Sequence, residues 1–171
     1  MVRGFPTSEA GNRMLDEGTF RRVMGHFATG VTVVTVRRPE GGFLGLTVNA
    51  FTSVSLDPLL VLVCINRGGF SHDELLASGA FAVNVLGREQ EDLAQRFATG
   101  DPRTRFRGLN AEAGPSGSPL LEGALAWLDC EIHETHRGGD HSIILGRVLA
   151  CHAREGDPLL FFRGRLRGME S

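Results

Sequence analysis

The sequence predicts a mainly β fold, an antiparallel barrel with a few short helices at its ends. Six or seven runs of strand length, rich in Val, Ile, Leu and Phe, recur along the chain. Glycine accounts for 23 of 171 residues and is spread rather than clustered, as many tight turns require. Helical patterns are short and number only two or three, too few to supply the crossovers of a doubly wound parallel sheet.

Residues 1–16 are polar and read as a loose N-terminal arm, and residues 17–171 as one domain. Phe20, Val23, Met24 and Phe27 recur at helical spacing, which predicts a helix over 19–28 capped by Thr19. A β-branched strand over 31–36 and a turn at Pro39-Glu40-Gly41-Gly42 follow. The spacing then predicts one long strand over 43–55, paired with the preceding strand as a hairpin. Residues 59–65 are apolar throughout, as in a strand buried on both faces. Ser71 and Glu74 have capping-box spacing and open a short helix that Gly79 closes. A strand over 80–86, an amphipathic helix over 89–98 and a long loop over 100–118 come next. Two long strands, 125–135 and 142–152, turn around Gly138-Gly139, and 159–163 is the last strand. Phe-Ala-Thr-Gly occurs at 27–30 and at 97–100 and reads as a shared helix-terminating signal.

Composition excludes several chemistries. The formal charge is -2, so no basic excess points to nucleic acid or a membrane surface. All 18 basic residues are Arg and Tyr is absent. No lysine can form a Schiff base or grip a phosphate, and no phenol can act as acid or base. Cys64, Cys130 and Cys151 are odd in number and widely spaced, as reduced thiols of a cytoplasmic protein are. No apolar run approaches the ~18 residues of a membrane helix. No two glycines flank a single other residue, so the dinucleotide fingerprint fails at its first step. His133-Glu134-Thr135-His136 is one residue short of a zinc motif, and positions three apart on a regular strand face opposite ways. No metal site is expected, and no nucleophile stands beside a base. Chemistry, if any, falls to a bound organic cofactor.

Two segments suit such a cofactor. Along 46–55, Leu46, Val48, Ala50 and Val54 alternate with Thr47, Asn49, Phe51, Ser53 and Ser55. The second set is polar but uncharged around an aromatic, a surface that fits a heteroaromatic ring with amide-like edges or an ordinary outer strand face. Asn66-Arg67-Gly68-Gly69-Phe70-Ser71 is a glycine loop entering a helix, with one guanidinium. Free amides at a helix start suit a phosphate, although a plain strand-to-helix turn has the same spelling. A ring and a phosphate are the two halves of a flavin mononucleotide. Asp140 precedes His141 after two glycines and is placed to orient it. Arg103, Arg105 and Arg107 read as a solvated loop, although they could anchor the substrate phosphate of a cofactor-phosphate oxidase on a related barrel.

Several blocks in consistent order, from about residue 17 to the end, resemble the flavin reductase domain family. These are Thr19-Phe20-Arg21 and Phe27 to Thr35, Thr47 to Pro58, Ser78 to Leu86, Arg96-Phe97-Ala98, Pro119 to Cys130, Gly139-Asp140-His141, and Pro158 to Gly164. The resemblance implies a split antiparallel β-barrel of the FMN-binding type, acting as a homodimer. It implies FMN or FAD as cofactor, NADH or NADPH as co-substrate, and a separate flavin-dependent oxygenase as recipient of reduced flavin. By the same resemblance Thr47, Val48, Asn49, Ala50, Phe51, Ser53 and Val54 meet the ring and ribityl chain. Arg67, Gly68, Gly69 and Ser71 lie at the phosphate, Phe97 packs near the flavin, and His141 stands where the nicotinamide approaches. Phe70 departs from the small polar residue of many relatives, and Ser71 from their Thr. A flavin carrier or sensor without turnover, or a related split-barrel oxidase, are the alternatives.

Overall fold

In a computed structural model of the chain, residues 16–169 are described. The N-terminal arm, apart from Asp16, lies outside them.

Helix α1 (Glu17–Met24) begins after Asp16, whose carboxylate accepts the Thr19 amide at 2.6 Å. The cap is therefore Asp16 rather than Thr19, and the helix ends at Gly25, before the Phe27-Ala28-Thr29-Gly30 tetrapeptide. The strands follow as β1 (Thr29–Gly30), β2 (Thr32–Arg37), β3 (Phe43–Val48), β4 (Phe51–Leu56) and β5 (Leu59–Asn66). Helix α2 (Phe70–Ser78), β6 (Ala80–Val85) and α3 (Glu91–Thr99) come next. The chain ends with β7 (Ala111–Ala113), β8 (Pro119–Leu121), β9 (Ala126–Gly138), β10 (His141–Ala153), β11 (Leu159–Phe162) and β12 (Arg165–Gly168). The expected loop over 100–118 thus contains a short strand, and β11 turns back into a twelfth strand that the sequence did not announce.

Seven strands form one antiparallel sheet in the order β3-β2-β6-β9-β10-β5-β4. Its two edge strands, β3 and β4, are consecutive in the chain and joined only by Asn49-Ala50. Two residues span less than about 11 Å, so a sheet of seven strands meets this link only by curling until its edges face each other. The expected single strand over 43–55 is therefore two strands, and the break between them closes the barrel.

The barrel is filled from every wall, by Val34, Val36, Leu44, Val63, Phe81 and Ile144 among others, none more than 1% exposed. A second cluster lies outside β2, where Val31, Val33, Leu86, Phe97 and Leu159 pack beneath α3 and β11. This second layer is why β2 is buried on both faces. Helix α3 approaches the barrel closely at Gly45, where a Cβ would stand 2.5 Å from the Phe97 ring. The β7–β8 arm is tied down by Asn84, which is fully buried. Its Nδ2 donates to Val33 O and Thr35 Oγ1, each at 3.1 Å, and its Oδ1 accepts from the Leu121 amide at 2.7 Å.

Candidate functional site

Three clefts lie along the barrel seam. One of about 580 Å³ is bordered by Asn49, Ala50, Phe51, Thr52 and Cys64 of the barrel and by Met24 and Phe27 from α1 and its exit. A second, of about 290 Å³, shares Asn49 and adds Thr47, Ala94, Ala98 and Phe161. A third, of about 230 Å³, shares Thr47 and Ala98 and runs to Asn66, Gly69, Ser71, His72 and Arg105. Shared walls make these one groove, apolar at the α1 end and polar at the α2 end.

Along this groove the strand residues separate by role. Thr47 Oγ1 donates to the Ala94 carbonyl at 2.6 Å, which leaves its lone pairs facing the cleft. Asn49 is exposed and donates to Thr29 Oγ1 at 3.3 Å through one amide hydrogen, and its carbonyl oxygen has no partner among the described residues. The Val48 side chain is inside the barrel, so only its backbone is available to a ligand. Phe51 is half-buried against the core and borders the first cleft. Ser53 and Val54 stand at a β-bulge against β5, exposed and outside these clefts. The polar face expected from alternation over 47–55 is therefore cut off after Thr52.

At the polar end, Gly69 is the N-cap of α2 and no side chain caps that helix. The expected capping box does not form. Glu74 instead accepts two hydrogen bonds from Arg38, both at 3.0 Å, and the guanidinium holds its carboxyl below the usual carboxylate range. Ser71 lies inside the first turn, half-buried, on the cleft wall. Among the described residues the Phe70 and Ser71 amides and the Ser71 hydroxyl have no hydrogen-bond partner, whereas the His72 amide donates to Gly69 O at 3.0 Å. Arg67 and Gly68 are exposed on the rim, outside the cleft, whereas Gly69 borders it. Phe97 is fully buried on Gly45 and forms part of the cleft floor.

Arg105 is where the favoured reading of the sequence, a solvated loop, fails. It is 8% exposed, not solvated. Its Nη1 donates to Gly45 O at 2.8 Å and its Nε to Gly100 O at 2.9 Å. No carboxylate lies within 4 Å of it among the described residues. A buried guanidinium that touches no carboxylate and feels Asp101 only from beyond 4 Å, on the wall of a cleft lined by Ser71 and the start of a helix, suits an anion.

His141 and this end of the groove are held together by the backbone. His141 pairs with Asn66 across β10 and β5, and the Arg67 amide donates to Asp140 O at 2.9 Å. His72, buried, bonds Ser142 Oγ at 2.9 Å through Nε2, tying α2 to the start of β10. Asp140 Oδ1 is 2.8 Å from His141 Nδ1. Hydrogen bonding to His141, then its charge, then Arg21, hold the Asp140 carboxyl below the usual carboxylate range. A depressed carboxyl keeps this contact at every pH above about 4 and loses it only as pH falls through its lowered value.

The regular-strand argument about His133 and His136 needs correction. A register shift between β9 and β10 leaves His133 unpaired opposite Leu145-Gly146. The bulge brings both rings to one carboxylate, with Glu134 at 3.0 Å from His136 and 4.0 Å from His133.

A model described as the flavin reductase like domain matches residues 24–170. The chain belongs to this family. It is 41% identical over 157 residues to the reductase subunit HsaB of a flavin-dependent monooxygenase from Rhodococcus jostii, covering 91% of this chain and 80% of that one. It is 46% identical over 159 residues to an NADH-dependent FAD reductase of Streptomyces globisporus, covering 89% and 85%. The crystal structure of a Streptomyces globisporus NADH:FAD oxidoreductase in complex with NAD and FAD fragments superposes with a TM-score of 0.85 at 43% identity, covering 91% and 93%. The barrel closed at Asn49-Ala50 is thus the split barrel of the flavin reductases.

Thiol chemistry offers a probe of the groove. Cys151 is exposed, Cys64 is half-buried on the first cleft, and Cys130 is fully buried. Burial raises the Cys64 thiol, and burial beside Asp129 pushes Cys130 up to about 12. At pH 8 a thiol reagent should modify Cys151 first, Cys64 more slowly, and Cys130 only on unfolding. Saturating FMN should slow Cys64 alone. Equal Cys64 rates with and without FMN would place the ring elsewhere.

Proposed function

We propose that the chain is an NADH-dependent flavin reductase whose reduced flavin serves a separate flavin-dependent oxygenase. The observation that carries this reading is the groove itself, an uncharged run at Thr47, Asn49 and Phe51 that leads to a buried Arg105 with no carboxylate in contact among the described residues, beside Ser71. A ring with amide-like edges fits the first part, and a phosphate fits the second. Bound flavin supplies the hydride acceptor, and the chain has no need of a strong acid or base. Thr47 and Asn49 offer hydrogen bonds at the ring's rim. Gly69, Ser71 and Arg105 hold the phosphate, and Phe97 supports the groove from beneath. Arg67 and Gly68 act through the loop's backbone.

His141, fixed by Asp140 at the groove's polar end, orients the nicotinamide. Alignment of donor and acceptor is worth several kcal/mol in a reaction of this kind. His141→Ala should raise the KM for NADH on the order of tenfold, the loss of about one oriented hydrogen bond. Its FMN affinity should stay within about twofold. An unchanged KM would remove His141 from this role.

The chain acts in the cytoplasm as a homodimer. Val23, Phe27, Leu56 and Leu59 are 51–87% exposed, large apolar side chains that a second copy would cover. The three cysteines are unpaired, as in a reducing compartment, and no helix among the described residues is long and apolar enough to cross a membrane. The deciding experiment mixes catalytic protein with excess FMN or FAD and follows NADH absorbance. Steady decay is expected, and flavin binding without decay would leave a carrier or sensor.

A further inference from the structure

A cleft of about 560 Å³ beside the groove is lined by Arg21, Arg22, Gly25, His26, Arg163 and Gly164. Arg21, Gly25 and Gly164 also border the groove's apolar end, so the two clefts adjoin. The cluster is built by one close approach. The β11–β12 turn donates its Arg163 amide to Gly25 O at 2.9 Å, at the end of α1. A Cβ on Gly25 would lie 3.4 Å from the Arg163 Cα.

Three guanidiniums and an imidazole therefore share one cleft on a chain whose formal charge is -2. Arg21 pairs with Glu17. Among the described residues, Arg22 and Arg163 have no carboxylate within 4 Å. Arg163 is instead stacked on Phe162, with its guanidinium carbon 5.1 Å from the ring centroid. It is also the only non-glycine residue described with positive φ, at 50°. A glycine or asparagine would occupy that position with less strain. Like charges gathered at a strained turn repel one another until an anion joins them.

We infer that Arg22 and Arg163 form the subsite for the diphosphate of the hydride-donating dinucleotide. This rests on the reductase reading above. The nicotinamide end then enters the groove toward His141, while the diphosphate stays in the cationic cleft beside it. Arg21 lines both clefts and lies close enough to Asp140 to lower its carboxyl. It marks the path between them.

The test is the double variant Arg22→Gln, Arg163→Gln, and separately Arg163→Gly, which removes the charge while relaxing the backbone. ADP binding by calorimetry should weaken about tenfold in the double variant, as loss of charge-assisted phosphate contacts does. The KM for NADH should rise by the same factor, with kcat and the FMN dissociation constant within about twofold. Arg163→Gly should show part of the same loss with no fall in melting temperature. The KM of the unaltered protein should rise with salt, and that of the double variant much less. ADP affinity and KM both within twofold of the unaltered protein would overturn the assignment. So would an FMN constant that rises as much as the KM, or a loss confined to NADPH. If the unaltered protein binds ADP through these arginines but oxidises no NADH with flavin present, the reductase reading fails and the diphosphate subsite stands.

Discussion

FMN affinity should fall about ten- to a hundredfold in Arg105→Met, the loss of one or two charge-assisted phosphate contacts at 1.5–3 kcal/mol. Riboflavin, which has the ring and ribityl chain but no phosphate, should bind the variant and the unaltered protein within about threefold of each other. The comparison separates a phosphate contact from general damage, because a collapsed groove would lose both ligands alike. Damage is a real concern here, since Arg105 also holds Gly45 O and Gly100 O. Methionine keeps the apolar stem but leaves both carbonyls short of a donor, at roughly 2–3 kcal/mol of stability. Titration of flavin fluorescence at a temperature well below unfolding measures both affinities. Parallel losses for FMN and riboflavin would remove Arg105 from the phosphate.

The largest stability change should come from Asn84→Leu, at about 3 kcal/mol or more. The volumes are similar, so the effect is polar. Leucine strands the Leu121 amide and removes the donor shared by Val33 O and Thr35 Oγ1 in a place water does not reach. For a chain of this size the melting temperature should drop by roughly 6–12 °C. A drop under about 2 °C would mean that the β7–β8 arm is held by its apolar contacts alone. Leu121, in the second cluster, is the residue through which those contacts run.

These two side chains also show where reading the sequence reaches its limit. The strands were legible because their runs of Val, Ile and Leu need no partner to be recognised. His141 and its Asp140 neighbour were legible because they are adjacent. The groove residues Thr47, Asn49 and Phe51 were legible from alternation, but the alternation also ran on to Ser53 and Ser55, past the Asn49-Ala50 link. Nothing local marks that link, since the chain changes from one sheet edge to the other without a proline or glycine. Arg105 was illegible for a related reason. Its burial depends on the carbonyl of Gly45, 60 residues away. Ser71 and Glu74 spell a capping box, yet Arg38 offers Glu74 two hydrogen bonds that a cap cannot match. In each case a contact distant in sequence overrode a local signal, and at α2 the override left the helix start without a side-chain cap.

The Asn49-Ala50 link has a consequence for how the barrel opens. It keeps β3 and β4 close in any state of the chain, yet among the described residues no backbone ladder pairs these two edges. The seam is therefore held by fewer hydrogen bonds than the interior of the sheet and is the first part to open. Amide exchange around residues 47–52 should be faster than in β6 and β9, which stand in the middle of the sheet. Added FMN should slow the seam far more than those central strands, so cofactor supply in the cell would set the lifetime of the closed barrel.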